Sequence, residues 1–263
     1  MEKRLIARGL LAGTVGALLA FLFSRVCAEP VIGRAIAFED GRSDVLDAHG
    51  VHEHGAELFT RGVQANAGLG FGLLIFGVAM GALFVVVFCV ISGRARGIAP
   101  RLLSALLGAG AFIAVYLVPF VKYPPNPPAV GQADTIRGRT GWYVVLVLAS
   151  VVLAVAAVWL ARRLVARLGA WNGGLLATAA YLVPIAVVAA LLPSIDETPQ
   201  PLRDASGAIV YPGFPADVLY EFRLLALGTQ LVLWATIGLV FGTLAGRLLG
   251  QRADGLQEPS LAT

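Results

Sequence analysis

The sequence predicts an all-α integral membrane protein with six transmembrane helices that form three hairpins opening outward. Apolar residues make up 58% of its 263 positions and charged residues only 14%, whereas soluble globular chains contain roughly 45–50% and 25%. Six stretches are apolar over the roughly 20 residues that an α-helix needs to cross about 30 Å of hydrocarbon. The connections between these stretches alternate between short basic segments and longer segments that together are acidic. Together these observations exclude a soluble globular domain.

The predicted spans follow one another without a second domain. They cover residues 5–26, 63–92, 102–121, 142–161, 171–192 and 219–244. Residues 1–250 therefore form one transmembrane domain, with an outer loop at residues 28–62 and a cytoplasmic tail at residues 251–263. The first span has an alternative interpretation as a cleaved signal sequence, because its start is basic and residues 26–28 resemble a small-residue cleavage site.

The charge distribution predicts that both termini are cytoplasmic. The chain ends, the short turns at residues 93–99 and 162–169, and the span ends beside them carry eleven of the 20 basic residues but three of the 16 acidic ones. Cytoplasmic loops of membrane proteins are enriched in Lys and Arg. We therefore expect the longer loops at residues 28–62, 122–141 and 193–218, which together are acidic, to lie outside the cell membrane.

Proline and glycine give several spans special features. Tyr-Leu-Val-Pro occurs at residues 116–119 and again at residues 181–184. Each proline removes a backbone donor, frees the carbonyl four residues earlier and is expected to kink its helix.

Glycines four residues apart predict faces on which neighbouring helices pack closely. These glycines are Gly68 with Gly72, Gly77 with Gly81, and Gly238, Gly242 and Gly246.

Polar side chains of spans two and six are concentrated in the outer third. They are Gln64, Asn66, Thr229 and Gln230. Two interpretations remain open, namely an outer vestibule and hydrogen bonds that hold spans two and six together. No Asp, Glu, His or Lys lies at hydrocarbon depth, where proton relays and ion-coupled transporters usually place an ionisable group. That pattern argues against a solitary pump or antiporter.

The first outer loop contains all three histidines of the chain. With the neighbouring acids they give seven nitrogen or oxygen donors within fourteen residues, namely Asp44, Asp47, His49, His52, Glu53, His54 and Glu57. Imidazole and carboxylate ligands suit Co²⁺, Ni²⁺ and Zn²⁺, although ligand type alone cannot select cobalt. The alternative is a polar surface loop with solvated histidines, since the spacing matches no standard zinc signature.

The order of these features over essentially the full chain resembles the CbtA family of predicted cobalt transporter subunits. The features are Glu29-Pro30 after the first span, the acidic histidine loop at His49–Glu57, Phe59-Thr60-Arg61, the glycine-rich second span, the Tyr-Leu-Val-Pro spans and the helix from Phe222-Arg223 to Gly242. The resemblance implies uptake of Co²⁺ for corrin synthesis. It also implies a small single-span, histidine-bearing partner, called CbtB.

We therefore predict a membrane subunit of a divalent-metal uptake system, with cobalt as the expected cargo and nickel or zinc as alternatives. The residues predicted to capture the ion outside are His49, His52, His54, Glu53 and Glu57. Two other classes remain as alternatives: a non-transporting scaffold or assembly partner whose outer loops bind a protein, and an integral membrane enzyme. The spans contain no Ser/His/Asp cluster and no buried His/Glu cluster, which argues against an enzyme. No resident cofactor and no nucleic-acid partner are expected.

Overall fold

The computed structural model describes residues 2–50, 61–95 and 97–255, and most of these residues are helical. The helices are α1 (Glu2–Phe23), α2 (Glu29–Ala48), α3 (Arg61–Val63), α4 (Leu69–Ser92), α5 (Pro100–Ala111), α6 (Val118–Lys122), α7 (Ala133–Leu191) and α8 (Ala216–Gly255). Three π-helical segments join consecutive α-helices at Ser24–Ala28, Gln64–Gly68 and Phe112–Leu117. One short antiparallel hairpin, β1 (Leu202–Arg203) and β2 (Ile209–Tyr211), lies in the third predicted outer loop.

Five helical segments of the described residues are long and apolar enough to cross a membrane. They are Lys3–Ala48, Ala65–Ser92, Pro100–Lys122, Asp134–Leu191 and Ala216–Leu249. Their outer surfaces are strongly apolar, with Leu191 at 80% and Val155 at 67% exposure. Such continuous apolar surfaces are unfavourable in water and favourable in lipid. The structure is that of an all-α, multi-pass membrane protein, in agreement with the fold class predicted from the sequence.

The longest helix, α7, folds back on itself. Gly169 interrupts it with φ 79° and ψ 167°, a backbone conformation that is essentially restricted to glycine. Across this break the Ser150 and Tyr181 hydroxyls are hydrogen-bonded at 2.7 Å, and Leu146 packs in one cluster with Ile185. Each pair joins a residue before the interruption to a residue after it, so residues 133–168 and 170–191 are two antiparallel arms. The predicted spans 142–161 and 171–192 lie one in each arm, apart from Leu192, which follows the helix.

The first outer loop is helical over much of its length, which differs from the loop predicted for residues 28–62. Helix α2 occupies Glu29–Ala48, and it is about 30 Å long at 1.5 Å per residue. Its buried face repeats at helical spacing through Val31, Ala35 and Phe38. Pro30 is the second residue of α2, and proline is tolerated near the start of a helical segment. Residues 51–60 of the predicted loop lie outside the described residues.

Two of the π-helical segments lie next to prolines. Ser24–Ala28 precedes Pro30, and Phe112–Leu117 leads into Pro119; local widening of this kind accommodates the missing backbone donor. The carbonyl of Val115, which Pro119 frees as predicted, accepts a hydrogen bond from the Tyr143 hydroxyl at 3.4 Å. The third π-helical segment, Gln64–Gly68, has no proline nearby.

The chain divides into two compact units. The first unit comprises Met1–Glu29, Glu57–Phe112 and Leu227–Thr263. Its helices pack through glycines: a Cβ on Gly13 would lie 2.2 Å from the Gly77 carbonyl oxygen, and one on Gly81 would lie 2.4 Å from that of Gly9. The predicted close-packing role is therefore confirmed for Gly77 and Gly81, whereas a Cβ on Gly72 would meet nothing within 4 Å.

The same unit contains a second glycine contact, between α5 and α8. Gly238 lies against Gly108 and the Ser104 carbonyl, and the buried Ser104 hydroxyl donates to the Gly238 carbonyl at 2.6 Å. Gly242 and Gly246 continue this face against Arg101. The predicted packing face of the last span is confirmed.

The second unit comprises Pro30–Ala56 and Ile113–Ala226. One of its clusters joins α2 to the loops, with buried Phe38 contacting Tyr211 and Phe214 at ring-centroid distances of 5.3 and 4.9 Å. Another cluster, around Tyr123, Leu146 and Ile185, lies between the arms of α7. The loops predicted to be outer are therefore packed structure with an apolar core.

Candidate functional site

The described part of the predicted metal-capture loop lies at the C-terminal end of α2. Asp44 and Asp47 lie in the last turn of the helix, and His49 follows the helix after Ala48. His52, Glu53, His54 and Glu57 lie outside the described residues. Within the described residues, no three His, Cys, Asp or Glu side chains come together as a metal site. Of the five predicted ligands, the structure thus places His49 alone.

His49 is exposed and held in a defined orientation. Its Nδ1 lies 2.7 Å from the Val45 carbonyl oxygen, one turn back on the helix. Since a carbonyl only accepts, Nδ1 carries the proton in this hydrogen bond and Nε2 keeps its lone pair. A backbone carbonyl on the other ring nitrogen is the arrangement that usually orients histidine ligands of metals. His49 can therefore offer Nε2 to a cation.

Backbone geometry also favours a cation at this end of α2. The His49 and Gly50 amides cap the helix by donating to the Leu46 and Asp47 carbonyls, both at 3.0 Å. Gly50 has φ 81°, the left-handed conformation common just after a helix, where glycine is preferred. The C-terminal end of a helix carries a partial negative charge. Asp44, which is exposed, adds a full negative charge one turn before His49.

Side-chain contacts fix α2 to the other loops of the second unit. Arg34 forms ion pairs with Asp217, at 3.5 Å, and with Glu221. Arg42 donates to the Gln200 carbonyl at 2.9 Å. The Tyr211 hydroxyl donates to the Phe38 carbonyl at 3.1 Å. Exposed pairs of this kind contribute little energy singly, but together with the apolar cluster they give the His49 end of α2 a defined position in this unit.

Glu197, an acid of the third predicted outer loop, is buried and fully engaged. Its carboxylate is 2% exposed and lies 3.0 Å from Arg139 Nη1. It also accepts hydrogen bonds from Asn126, at 2.8 Å, and from Thr135. With its oxygens engaged by three donors, Glu197 holds the second and third predicted outer loops together and has no free face for a metal.

An aromatic cavity of about 280 Å³ adjoins this network. Tyr116, Phe120 and Tyr143 line it, and Arg139 closes one side. The Arg139 guanidinium is already engaged by Glu197 and by the Pro124 carbonyl. The Tyr123 hydroxyl donates to the Pro193 carbonyl at 2.7 Å, and burial raises the pKa of this phenol, which keeps it protonated. The cavity therefore offers an apolar lining.

The polar residues of the outer third serve partly as helix contacts. In the first unit the Ser24 and Thr229 hydroxyls are hydrogen-bonded at 2.8 Å in a buried position. Arg25 Nε donates to the Asn66 side-chain oxygen at 3.0 Å. Both contacts are hydrogen bonds between helices, but they join the end of the first span to spans six and two, whereas the sequence predicted bonds between spans two and six. Ser24 and Arg25 were not among the residues singled out from sequence, because their partners lie 205 and 41 residues away.

A family model described as "Probable cobalt transporter subunit (CbtA)" matches residues 2–246. The chain belongs to the CbtA family. The match includes all five apolar segments apart from the last residues of α8, and it includes the histidine loop. No curated protein and no solved structure matches the chain.

Membership in the CbtA family gives the membrane helices a function. The family description is that of a transporter subunit, which is a non-enzymatic role with a metal ion as cargo. The word subunit also implies that this CbtA protein acts with a partner.

Proposed function

We propose that this CbtA protein captures a divalent metal ion, with Co²⁺ as the preferred cargo, on the outer side of the cell membrane and passes it into an uptake system. The capturing residues are His49, His52, His54, Glu53 and Glu57. The observation that carries the proposal is the orientation of His49, whose Nδ1 is engaged by the Val45 carbonyl while the side chain is exposed. That arrangement leaves Nε2 for a metal ion.

The ligand set supports a borderline metal without selecting one. Three imidazoles and two carboxylates suit Co²⁺, Ni²⁺ and Zn²⁺, whose affinities follow the Irving–Williams order at such sites. Cobalt is preferred here because the family description names it. In the cell, selection would then depend on coordination geometry, metal availability and the rest of the uptake system.

The proposed topology has six membrane crossings with both termini cytoplasmic. Its support is the fold-back of α7 at Gly169, which lets one helical segment contribute two crossings. The resulting outward loops contain α2, the Glu197 network and the β-hairpin. The proposed partner is a small single-span, histidine-bearing subunit similar to CbtB, which would act beside the capture loop.

Replacement of all three histidines by alanine tests the capture role. Cobalt affinity of the purified protein, measured by calorimetry, should fall at least about tenfold, since even the loss of one supporting residue around a metal typically costs ~10–100-fold. Wild-type affinity should also fall as the pH is lowered through about 6.5, because protons compete for neutral imidazole. The matched control is Asp134→Asn, an exposed acid at the start of α7, which should bind cobalt like the wild type.

Equal cobalt affinity in the wild type and the triple variant would overturn the capture role. That result would favour the alternative, a non-transporting scaffold whose outer loops bind another protein. The observation in favour of the scaffold is the packed loop structure of the second unit, built on Glu197 and Phe38. Co-purification of a single-span partner equally well with the wild type and the triple variant would then support it.

A further inference from the structure

Three buried polar atoms on α8 have no partner in the part of the chain that the structure describes, namely Arg223 Nε in the second unit and Gln230 Oε1 and Trp234 Nε1 in the first. Gln230 Oε1 accepts no hydrogen bond, and Trp234 Nε1 donates none. Trp234 is only 5% exposed. Leaving a buried polar group unsatisfied costs roughly 1–3 kcal/mol, and native proteins keep few such groups. Neither the packing of α8 nor the capture loop accounts for this pair.

The two atoms are complementary and lie on one side of the helix. Gln230 and Trp234 are four residues apart, so they occupy neighbouring positions on one helix face. One supplies an acceptor and the other a donor. Water is complementary to both groups, because it accepts from an indole N–H and donates to an amide oxygen. In this structure neither atom is accessible to water, so the site is closed.

The pair adjoins a buried hydrogen bond between the π-helical segment Ser24–Ala28 and α8. Thr229 is the residue before Gln230, and its hydroxyl is hydrogen-bonded to Ser24. Gly228 permits this approach, since a Cβ there would lie 2.9 Å from the Phe23 ring. The Ser24 and Thr229 hydroxyls thus lie beside a stretch of α8 that also contains the Gln230 amide oxygen and the Trp234 indole N–H. All belong to neutral groups.

Two π-helical segments of the first unit lie near these polar groups. Ser24 begins the π-helical segment Ser24–Ala28, and Asn66 lies in the segment Gln64–Gly68. The Arg25–Asn66 hydrogen bond joins the two segments. Segments of this kind inside α-helices are often associated with functional sites, and no proline explains the second one.

We propose that Gln230 and Trp234, beside the Ser24–Thr229 pair, form a gate on the path of the cation through the first unit. The inference rests on the proposed transport function. On opening, water bound to the cation donates to Gln230 Oε1, and the Trp234 indole N–H donates to a second water molecule. Such neutral ligands bind a hydrated cation weakly enough for release, which conduction requires. The absence of carboxylates at hydrocarbon depth in the predicted spans agrees with this mode of binding.

Cobalt uptake by cells that express matched variants tests the gate. Gln230→Met keeps the side-chain length and removes the amide, and Trp234→Phe keeps a ring and removes the N–H. Each should lower the initial uptake rate about tenfold, which corresponds to ~1.4 kcal/mol, while cobalt affinity at the capture loop stays unchanged. The control is Thr236→Val on the same helix, because the Thr236 hydroxyl donates to the Val232 carbonyl within α8 at 2.7 Å. Wild-type uptake rates in both gate variants would overturn the proposal.

Fluorescence gives a second measurement that does not depend on transport. The chain has four tryptophans, and replacing Trp142, Trp159 and Trp171 by Phe leaves Trp234 as the sole emitter. If the gate opens to water, the Trp234 indole N–H exchanges in D₂O and the emission intensity rises. Gln230→Met should reduce this rise, and Thr236→Val should not. Emission that is insensitive to D₂O in all three proteins would overturn the gate.

The two measurements distinguish failure of the gate from failure of the proposed function. Absence of cobalt uptake in the wild type, together with a D₂O response that depends on Gln230, would overturn transport and support the water site. Normal uptake in the gate variants, with loss of uptake only in the histidine variant, would overturn the gate and support the capture role.

Discussion

Glu197 stabilises two loops of the second unit through one buried carboxylate. Replacement by Gln removes the charge and places an NH₂ group among the donors of Asn126, Thr135 and Arg139. Breaking a buried ion pair costs ~3–5 kcal/mol. Because Arg139 is 21% exposed and keeps some solvation, we expect Glu197→Gln to lower the free energy of unfolding by about 3 kcal/mol, measured as a loss of thermal stability in detergent.

The neighbouring acid supplies a control for this variant. Asp196 is exposed, and its carboxylate accepts a hydrogen bond from the Thr198 amide at 3.1 Å. Asp196→Asn keeps an oxygen for that bond, so it should change thermal stability little. Equal destabilisation by the two variants would show that the Glu197 network does not hold the loops.

Asp204 makes the β-hairpin sensitive to acid. Its carboxylate accepts hydrogen bonds from the Ser206 hydroxyl, at 2.6 Å, and from the Ser206 and Ala208 amides. These hydrogen bonds, with the Ser206 hydroxyl contributing most, lower the pKa of Asp204. A lowered pKa means that the contribution to stability is present above the unfolded value of about 3.9 and is lost as the pH falls through the folded value.

Hydrogen exchange of the hairpin amides measures this effect. Protection of the Ser206 and Ala208 amides should be constant from neutral pH down to about 4, after correction for intrinsic exchange rates, and should decrease below it. Asp204→Asn should abolish the pH-dependent step. A step of equal size in that variant would assign the transition to another group.

The orientation and burial of individual side chains were the features least predictable from the sequence. The orientation of His49 depends on a helix that ends at Ala48, and that helix was not predicted. The burial of Glu197 depends on donors 58 to 71 residues away in the chain. In the sequence, the one signal for Trp234 is its position one turn after Gln230. That spacing is also common in helices that only pack, so it does not identify a site.

The glycine contacts between α1 and α4 determine whether a Gly→Ala substitution in α4 raises or lowers the stability of the protein. In an open helix position, Gly→Ala is stabilising by roughly 1 kcal/mol, and we expect this at Gly72, where a Cβ meets nothing within 4 Å. At Gly81 the same Cβ would lie 2.4 Å from the Gly9 carbonyl oxygen. Overpacking of this kind costs ~1–3 kcal/mol, so Gly81→Ala should be destabilising.

Thermal unfolding of the two purified variants tests the opposite signs. Because both glycines lie in α4, effects of helix propensity and detergent are matched. Stabilisation by Gly81→Ala equal to that of Gly72→Ala would contradict the close α1–α4 contact.

The helices that cross lipid were predicted well from the sequence. The helix α2, which has polar surroundings, was not predicted. Crossing hydrocarbon requires about 20 apolar residues, which is a strong signal in each span. By contrast, α2 has a narrow buried face of Val31, Ala35 and Phe38 among charged residues. Its sequence therefore resembles a polar loop. The fold-back of α7 was predictable from the basic turn at residues 162–169, because that turn separates two apolar stretches.

Membrane topology is the prediction that concerns the whole molecule. With six crossings, a cysteine introduced at Ser43 in α2 lies outside, and one introduced at Ser260 lies in the cytoplasm. A membrane-impermeant thiol reagent applied to intact cells should therefore label the first and not the second, with Cys27 and Cys89 replaced by Ser in both proteins. Labelling of the Ser260 position alone would reverse the proposed orientation.

The order of synthesis has a consequence for how the first unit assembles. In that unit Phe241 of α8 packs edge-on against Phe84 and Phe88 of α4, at 5.6 and 5.0 Å between ring centroids. The ribosome delivers residues 227–255 of α8 after the whole of the second unit. A chain halted before Leu227 therefore carries a complete second unit, while Phe84, Phe88 and the Ser24 hydroxyl still lack their α8 partners. Quality-control proteases in the membrane could recognise such a halted chain by that unpaired helix face.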